Sequence, residues 1–241
     1  MGRAIPASLA LVAIAVAVAV VVGTVGWPRV HPGPQQPAPP NSGQTPRAGT
    51  GTLRYDQASA DAQRLPVKGW DLTSDFARSR FGEAWSDDVD VEFGHNGCNT
   101  RDDVLRRDLA DLVVRPGTCF VQSGTLLDPY GNESIEFVRG PDTSNAVQID
   151  HVVSLSDAWY KGARDWDDRR RSDFANDPRN LLAVGGGDNF DKAFRDAARW
   201  LPPNLAFRCE FVARQVAVKT AYRLWVSAQE KRAMQEVLAG C

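Results

Sequence analysis

Val147-Gln148-Ile149-Asp150-His151-Val152-Val153 and Asn180-Leu181-Leu182-Ala183-Val184-Gly185-Gly186-Gly187-Asp188-Asn189 are the stretches whose reading decides the fold. The first is a short apolar run that closes on a carboxylate and an imidazole, and its β-branched residues read as a strand. The second opens as a short apolar strand over residues 180–184, and the three glycines then break the chain. Over residues 188–199 the pattern turns helical, with Asn189 at the opening and Lys192 one turn further on. In a regular strand Asp150 and His151 point to opposite faces, so both can serve one ligand only where the strand ends or bulges. Residues 152–179 must hold an inserted helical segment, in which Trp159, Trp166 and Phe174 interleave with charges.

Outward from this centre the pattern is mixed. Thr100, followed by Arg101, Asp102 and Asp103 and by Val104, Leu105, Leu109 and Leu112 at helical spacing, predicts a capped helix with acids in its first turn. Residues 119–122, 126–127 and 135–138 read as short strands separated by turn chemistry. Trp200-Leu201-Pro202-Pro203 stops the preceding helix. Phe211, Val212, Val216, Val218, Tyr222 and Trp225 recur on a helical period, and Ser227-Ala228-Gln229-Glu230 is a capping box that opens a last helix. The sum is an α+β fold ending in a helical hairpin.

Residues 1–52 carry Arg3, Arg29 and Arg47 and no acid. Leu9 and the residues up to Val25 form an uncharged apolar run between the lengths of a signal-peptide core and of a spanning helix, so residues 1–27 read as a signal peptide or a membrane anchor. Residues 28–52 have too few apolar side chains to repay ordering and read as a Pro/Gly-rich linker, which holds His31. Residues 53–241 are then one folded domain, with 28 − 3 = 25 basic against 30 acidic residues, a formal charge of −5. A broad basic footprint for nucleic acid is absent. Either form of the leader places the domain outside the membrane, extracellular or at the cell surface. There the even set Cys98, Cys119, Cys209 and Cys241 favours two disulfides. The local pairing is expected, Cys98 with Cys119 and Cys209 with Cys241, the second closing the hairpin. No C-x-x-C pair supports a structural zinc site.

A carboxylate beside an imidazole can raise its basicity, orient it or share a metal. His95, in Gly94-His95-Asn96-Gly97, reads as a solvated turn residue instead. Strand with Asp-His, strand with Asn and helix with Asn is an order that resembles the ββα-metal (HNH) nuclease fold in its His-Asn-Asn form. Gly97-Cys98-Asn99-Thr100-Arg101, Asp128-Pro129-Tyr130-Gly131, Asp150 with the residues up to Trp159, Ala175-Asn176-Asp177-Pro178 and Trp200-Leu201-Pro202-Pro203 extend the resemblance. Together they are similar to the exported actinobacterial-type HNH endonucleases, relatives of the C-terminal nuclease domains of modification-dependent restriction enzymes.

The resemblance implies a hydrolase of phosphodiester bonds in which His151 is the general base and Asp150 and Asn189 hold one divalent cation. Asn180 would brace the loop that presents His151. An Asp and a neutral Asn make a hard oxygen site, which favours Mg²⁺ or Mn²⁺ over Zn²⁺. Lys192 is either a phosphate contact or a solvated helix lysine, and Arg101 either a phosphate contact or half of an ion pair. Arg169-Arg170-Arg171 either guides a nucleic-acid backbone or is balanced by Asp165, Asp167 and Asp168. The acidic run of residues 87–92 fails the EF-hand pattern, with Phe93 where the loop needs Gly, and reads as a solvated loop. By family resemblance the partner is nucleic acid, DNA before RNA, cut with low sequence specificity. The membrane is a second partner if the leader stays uncleaved. The competing readings are an inactive nucleic-acid-binding module of the envelope and a nuclease directed at RNA.

Overall fold

The computed structural model describes residues 55–72 and 76–241, so the expected signal peptide or anchor and the whole of the expected linker lie outside the described residues. Among the described residues no helix is long and apolar enough to cross a membrane. The elements run α1 (Tyr55–Arg64), α2 (Thr100–Asp108), β1 (Ala110–Val114), β2 (Val121–Leu127), β3 (Ser134–Val138), β4 (Val147–His151), α3 (Leu155–Tyr160), α4 (Asp168–Asn176), β5 (Leu181–Gly185), α5 (Gly186–Lys192), α6 (Arg208–Tyr222) and α7 (Ala228–Ala239). The architecture is α+β, as expected.

Strands β1, β2 and β3 form an antiparallel meander, and β4 and β5 form a separate antiparallel pair in which Asp150 faces Leu182 and His151 faces Leu181. All five residues of β5 are buried, because both faces of this strand are covered. Leu181 and Ala183 join Val104, Leu105, Phe137 and Ile149 under α2 and the meander. Leu182 and Val184 point the other way, into the cluster of Phe211, Val216 and Met234 built by α1, α6 and α7. A period of two thus explains why a nearly continuous apolar run was needed.

Three expectations are corrected. Leu112 does not extend α2: the helix is capped by Asn99, whose side chain accepts from the Asp102 N–H, and ends at Asp108, after which Leu112 lies in β1, paired to β2. The glycines do not break the chain. Gly185 caps α5, and Gly186 and Gly187 are its first residues. A Cβ on Gly186 would stand 2.3 Å from the Asn145 carbonyl oxygen, so the close approach is what the glycine serves. The helix also stops at Lys192 rather than Arg199, where Ala193 takes φ 47°.

The C-terminal hairpin is present as read. Ser227 and Glu230 make the capping box of α7, and disulfides join Cys98 to Cys119 and Cys209 to Cys241, with Cα atoms 5.6 and 5.9 Å apart.

Candidate functional site

Strand β4 ends at His151, and this ending sets the site. The Val152 N–H donates to the Asn180 carbonyl, and the Asn180 side chain then takes over where the ladder stops. Its Oδ1 accepts from the Val153 N–H at 2.8 Å and its Nδ2 donates to the Val153 carbonyl at 3.2 Å. Asn180 is fully buried. An amide is the side chain that can satisfy both a donor and an acceptor of one residue, so Asn180 fixes the turn that follows the histidine.

The His151 ring is stacked on Trp85, with centroids 6.0 Å apart and planes 14° apart. Its Nε2 lies 2.8 Å from the Ala175 carbonyl oxygen. A carbonyl can only accept, so Nε2 carries the proton and Nδ1 is the basic nitrogen. Burial, with help from the charges of Arg78 and Lys192 and against the Ala175 bond, pulls the imidazole pKa down to about 3. The ring is therefore neutral throughout the physiological range, with Nδ1 unprotonated.

Asp150 is buried beside it. Its Oδ2 accepts from the Tyr130 hydroxyl at 2.7 Å and its Oδ1 from the Lys192 ammonium at 3.0 Å. Burial raises the pKa of this carboxyl, and Lys192 and Tyr130 pull in the opposite direction. Lys192 also donates to the His151 carbonyl at 2.8 Å and is 0 % exposed. It is not the solvated lysine of the sequence reading, and it reaches the site through Asp150 rather than through the cleft wall.

Asn189, on α5, donates from Nδ2 to Gln148 Oε1 at 2.7 Å, which leaves its own Oδ1 uncommitted among the described residues. Arg101 donates to the Val147 carbonyl at 3.2 Å and makes no ion pair with a carboxylate among the described residues, against the ion-pair alternative. Asp150, His151, Asn189 and Arg101 all line one cleft of about 490 Å³, which Arg78, Trp85, Gln148 and Phe194 complete. The structure thus brings the expected site residues together, with Asn180 and Lys192 immediately behind the wall.

Tyr130, Trp85, Arg78 and Gln148 were missed. Gln148 could have been found, since it lies two residues before Asp150 on the same face of a strand. Tyr130 stood in a quoted motif whose role is now visible. Asp128 accepts from the N–H groups of Tyr130 and Gly131, and this turn aims the tyrosine at Asp150 while Trp200 packs edge-on against its ring at 5.1 Å. The Ala175 motif supplies the carbonyl that holds His151.

The other charged runs are engaged structurally. Arg169 pairs with Asp88, Asp90 and Asp173, Arg170 donates to the Tyr222 carbonyl, and Arg171 pairs with Asp168. Asp87 accepts from the N–H groups of Asn96 and Gly97, and His95 is an exposed neighbour of Asp90 at 3.4 Å.

Comparison with known proteins gives three findings. A protein of Arthroderma benhamiae described as an uncharacterized secreted protein is 37 % identical over 146 residues, covering 60 % of this chain and 68 % of the relative. No solved structure matches the chain. The family model for the C-terminal domain of GmrSD restriction endonucleases matches residues 99–237, which hold Arg101, Tyr130, Asp150, His151, Asn180, Asn189 and Lys192, and the chain belongs to that family.

Proposed function

We propose that this protein is an exported, divalent-metal-dependent endonuclease with an HNH-type ββα-metal core made of β4, β5 and α5. The observation that carries the reading is the buried, neutral His151, held through Nε2 by Ala175 with Nδ1 left for the cleft, beside a carboxylate and an asparagine that line the same cleft. The leader composition, the two disulfides and the relative described as secreted support export.

Asp150 and Asn189 fit a hard cation. Each offers oxygen, and the Asp150 carboxylate, which accepts from Tyr130, Lys192 and the His151 N–H, has one lone pair left over from these three bonds. These residues would hold one Mg²⁺ or Mn²⁺, which when bound supplies charge neutralisation to the phosphate and the departing 3′ oxygen. His151 Nδ1 takes the proton from the attacking water. The Ala175 carbonyl then stabilises the imidazolium through Nε2–H, and Trp85 holds the ring plane. Asn180 keeps the post-strand turn fixed, so that the base stays in place. Arg101 offers a guanidinium to a phosphate oxygen. The substrate on this reading is nucleic acid, DNA in preference to RNA, without a base-reading helix to confer tight specificity.

A plasmid-nicking assay on the secreted form, with Mg²⁺ or Mn²⁺, tests it. His151→Ala should lower the rate about 10²- to 10⁴-fold. Asp150→Ala and Asn189→Ala should be partly rescued by excess Mn²⁺, and His151→Ala should not. Nicking by folded His151→Ala at the wild-type rate would remove the histidine from the reaction.

A further inference from the structure

The wall of the cleft facing solvent carries aromatic rings as well as cations. Phe194 lines it at 57 % exposure, immediately after α5, and has no ring partner among the described residues. Phe76 and Trp85 line the same cleft from the segment before α2. Arg78 and Arg101 line the cleft with these rings, and neither makes an ion pair among the described residues, although Arg101 feels the charge of Asp102 and the domain as a whole is acidic. An exposed phenylalanine beside a candidate catalytic histidine forfeits burial that its neighbours could have supplied, and a folded domain (residues 53–241) of formal charge −5 lacks the broad basic surface by which duplex binders hold on.

Resting on the nuclease reading above, we propose that the cleft takes nucleic acid that is unpaired at the point of cleavage, with a base next to the scissile phosphate stacked on Phe194 and the phosphate set against Arg78 and Arg101. A base inside a duplex has both faces covered by its neighbours, so a ring on a cleft wall can meet one only when it is out of the stack. The cleft of about 490 Å³ is of nucleotide size rather than duplex size. Stacking is indifferent to sequence, because every base has a π-face, and it contributes about 5- to 150-fold in affinity per base. It compensates for the missing electrostatic footprint. Few phosphate contacts also make the affinity weakly dependent on salt.

Binding of labelled oligonucleotides to the full secreted protein, followed by fluorescence anisotropy with Ca²⁺ present, separates this from the nuclease reading. Single-stranded DNA and RNA of one sequence should bind at least about tenfold more tightly than the same DNA annealed to its complement. Phe194→Ala should lower the single-strand affinity about tenfold, with Phe194→Trp retaining it. The remote exposed Leu205→Ala should leave affinity alone. Equal affinity for single strand and duplex, or a Phe194→Ala protein that binds like wild type, overturns the proposal. Preferred single-strand binding that is lost in Phe194→Ala, without cleavage in Mg²⁺ or Mn²⁺, would keep the docking of an unpaired base on Phe194 and overturn the nuclease reading and with it the scissile position of the phosphate.

Discussion

His151 shows how far a single side chain is set by its surroundings. Its folded pKa of about 3 lies below the ordinary 6.5, so above pH 6.5 the ring is neutral in both the folded and the unfolded chain. As pH falls from 6.5 towards 3, the unfolded chain takes up a proton that the folded one refuses, and stability is lost by an amount on the order of 4–5 kcal/mol. Asp150 acts with the opposite sign, because its raised folded pKa lets the folded carboxyl gain a proton first and offsets part of the loss at the acid end. Urea denaturation in EDTA should therefore show a decline between pH 6.5 and 3 that is shallower in His151→Gln, and parallel curves would contradict the depressed pKa. Nitrogen NMR of the metal-free protein at pH 6 should find a neutral imidazole with its proton on Nε2. Lys192→Met should cost about 3–5 kcal/mol, since it leaves a buried carboxylate without its cation, whereas Tyr130→Phe removes one hydrogen bond to that group and should cost about 1–3 kcal/mol. Equal losses in the two variants would mean that Lys192 is not the main counter-charge of Asp150.

At the scale of elements, the two opening residues of α5 give a paired test. Gly186→Ala pushes a Cβ to 2.3 Å from the Asn145 carbonyl, and one of the two segments must move, at a cost expected to exceed 2 kcal/mol in thermal denaturation. At Gly187 nothing lies within 4 Å of an added Cβ, so Gly187→Ala should stabilise the protein by roughly 0.4–1 kcal/mol. The contrast could not be read from Gly185-Gly186-Gly187, because the obstructing carbonyl comes from the turn of residues 144–146 that leads into β4. That limit is general here. Strands β4 and β5, the insertion helices and the capped α7 were legible because each rests on local periodicity or capping chemistry. The Asp150, His151 and Asn180 positions were legible because they close or open those strands. Arg78 and Trp85 were not, since they sit in an irregular segment before α2 whose placement depends on long-range packing. The burial of Lys192 was hidden for the same reason, its carboxylate partner lying on another element.

Across the whole molecule, α3, α6, α7 and the Asp196 turn are joined by a buried set of charges that no local pattern announces. Lys161 Nζ lies 2.5, 2.9 and 2.6 Å from oxygens of Asp157, Asp196 and Glu230, and its ammonium stands at the point on which the three carboxylates converge. Lys219 Nζ lies 2.6 and 2.8 Å from Asp157 and Glu230. All five side chains are at most 3 % exposed, and two ammonium groups face three carboxylates, one negative charge too many for a closed interior. Burial is the leading cause of the upward shift of the Glu230 pKa, which makes it the carboxyl that most readily takes the balancing proton. Glu230→Gln supplies that neutrality by substitution and keeps an oxygen for the Ser227 N–H of the capping box, so it should cost under about 1.5 kcal/mol. Lys161→Met leaves three carboxylates to a single ammonium and should cost about 3–5 kcal/mol or prevent folding. With both disulfides intact in each variant, urea denaturation at neutral pH compares the two directly. A Glu230→Gln loss as large as that of Lys161→Met would mean that the cluster is fully ionised and that its excess charge is held by something other than a proton on Glu230.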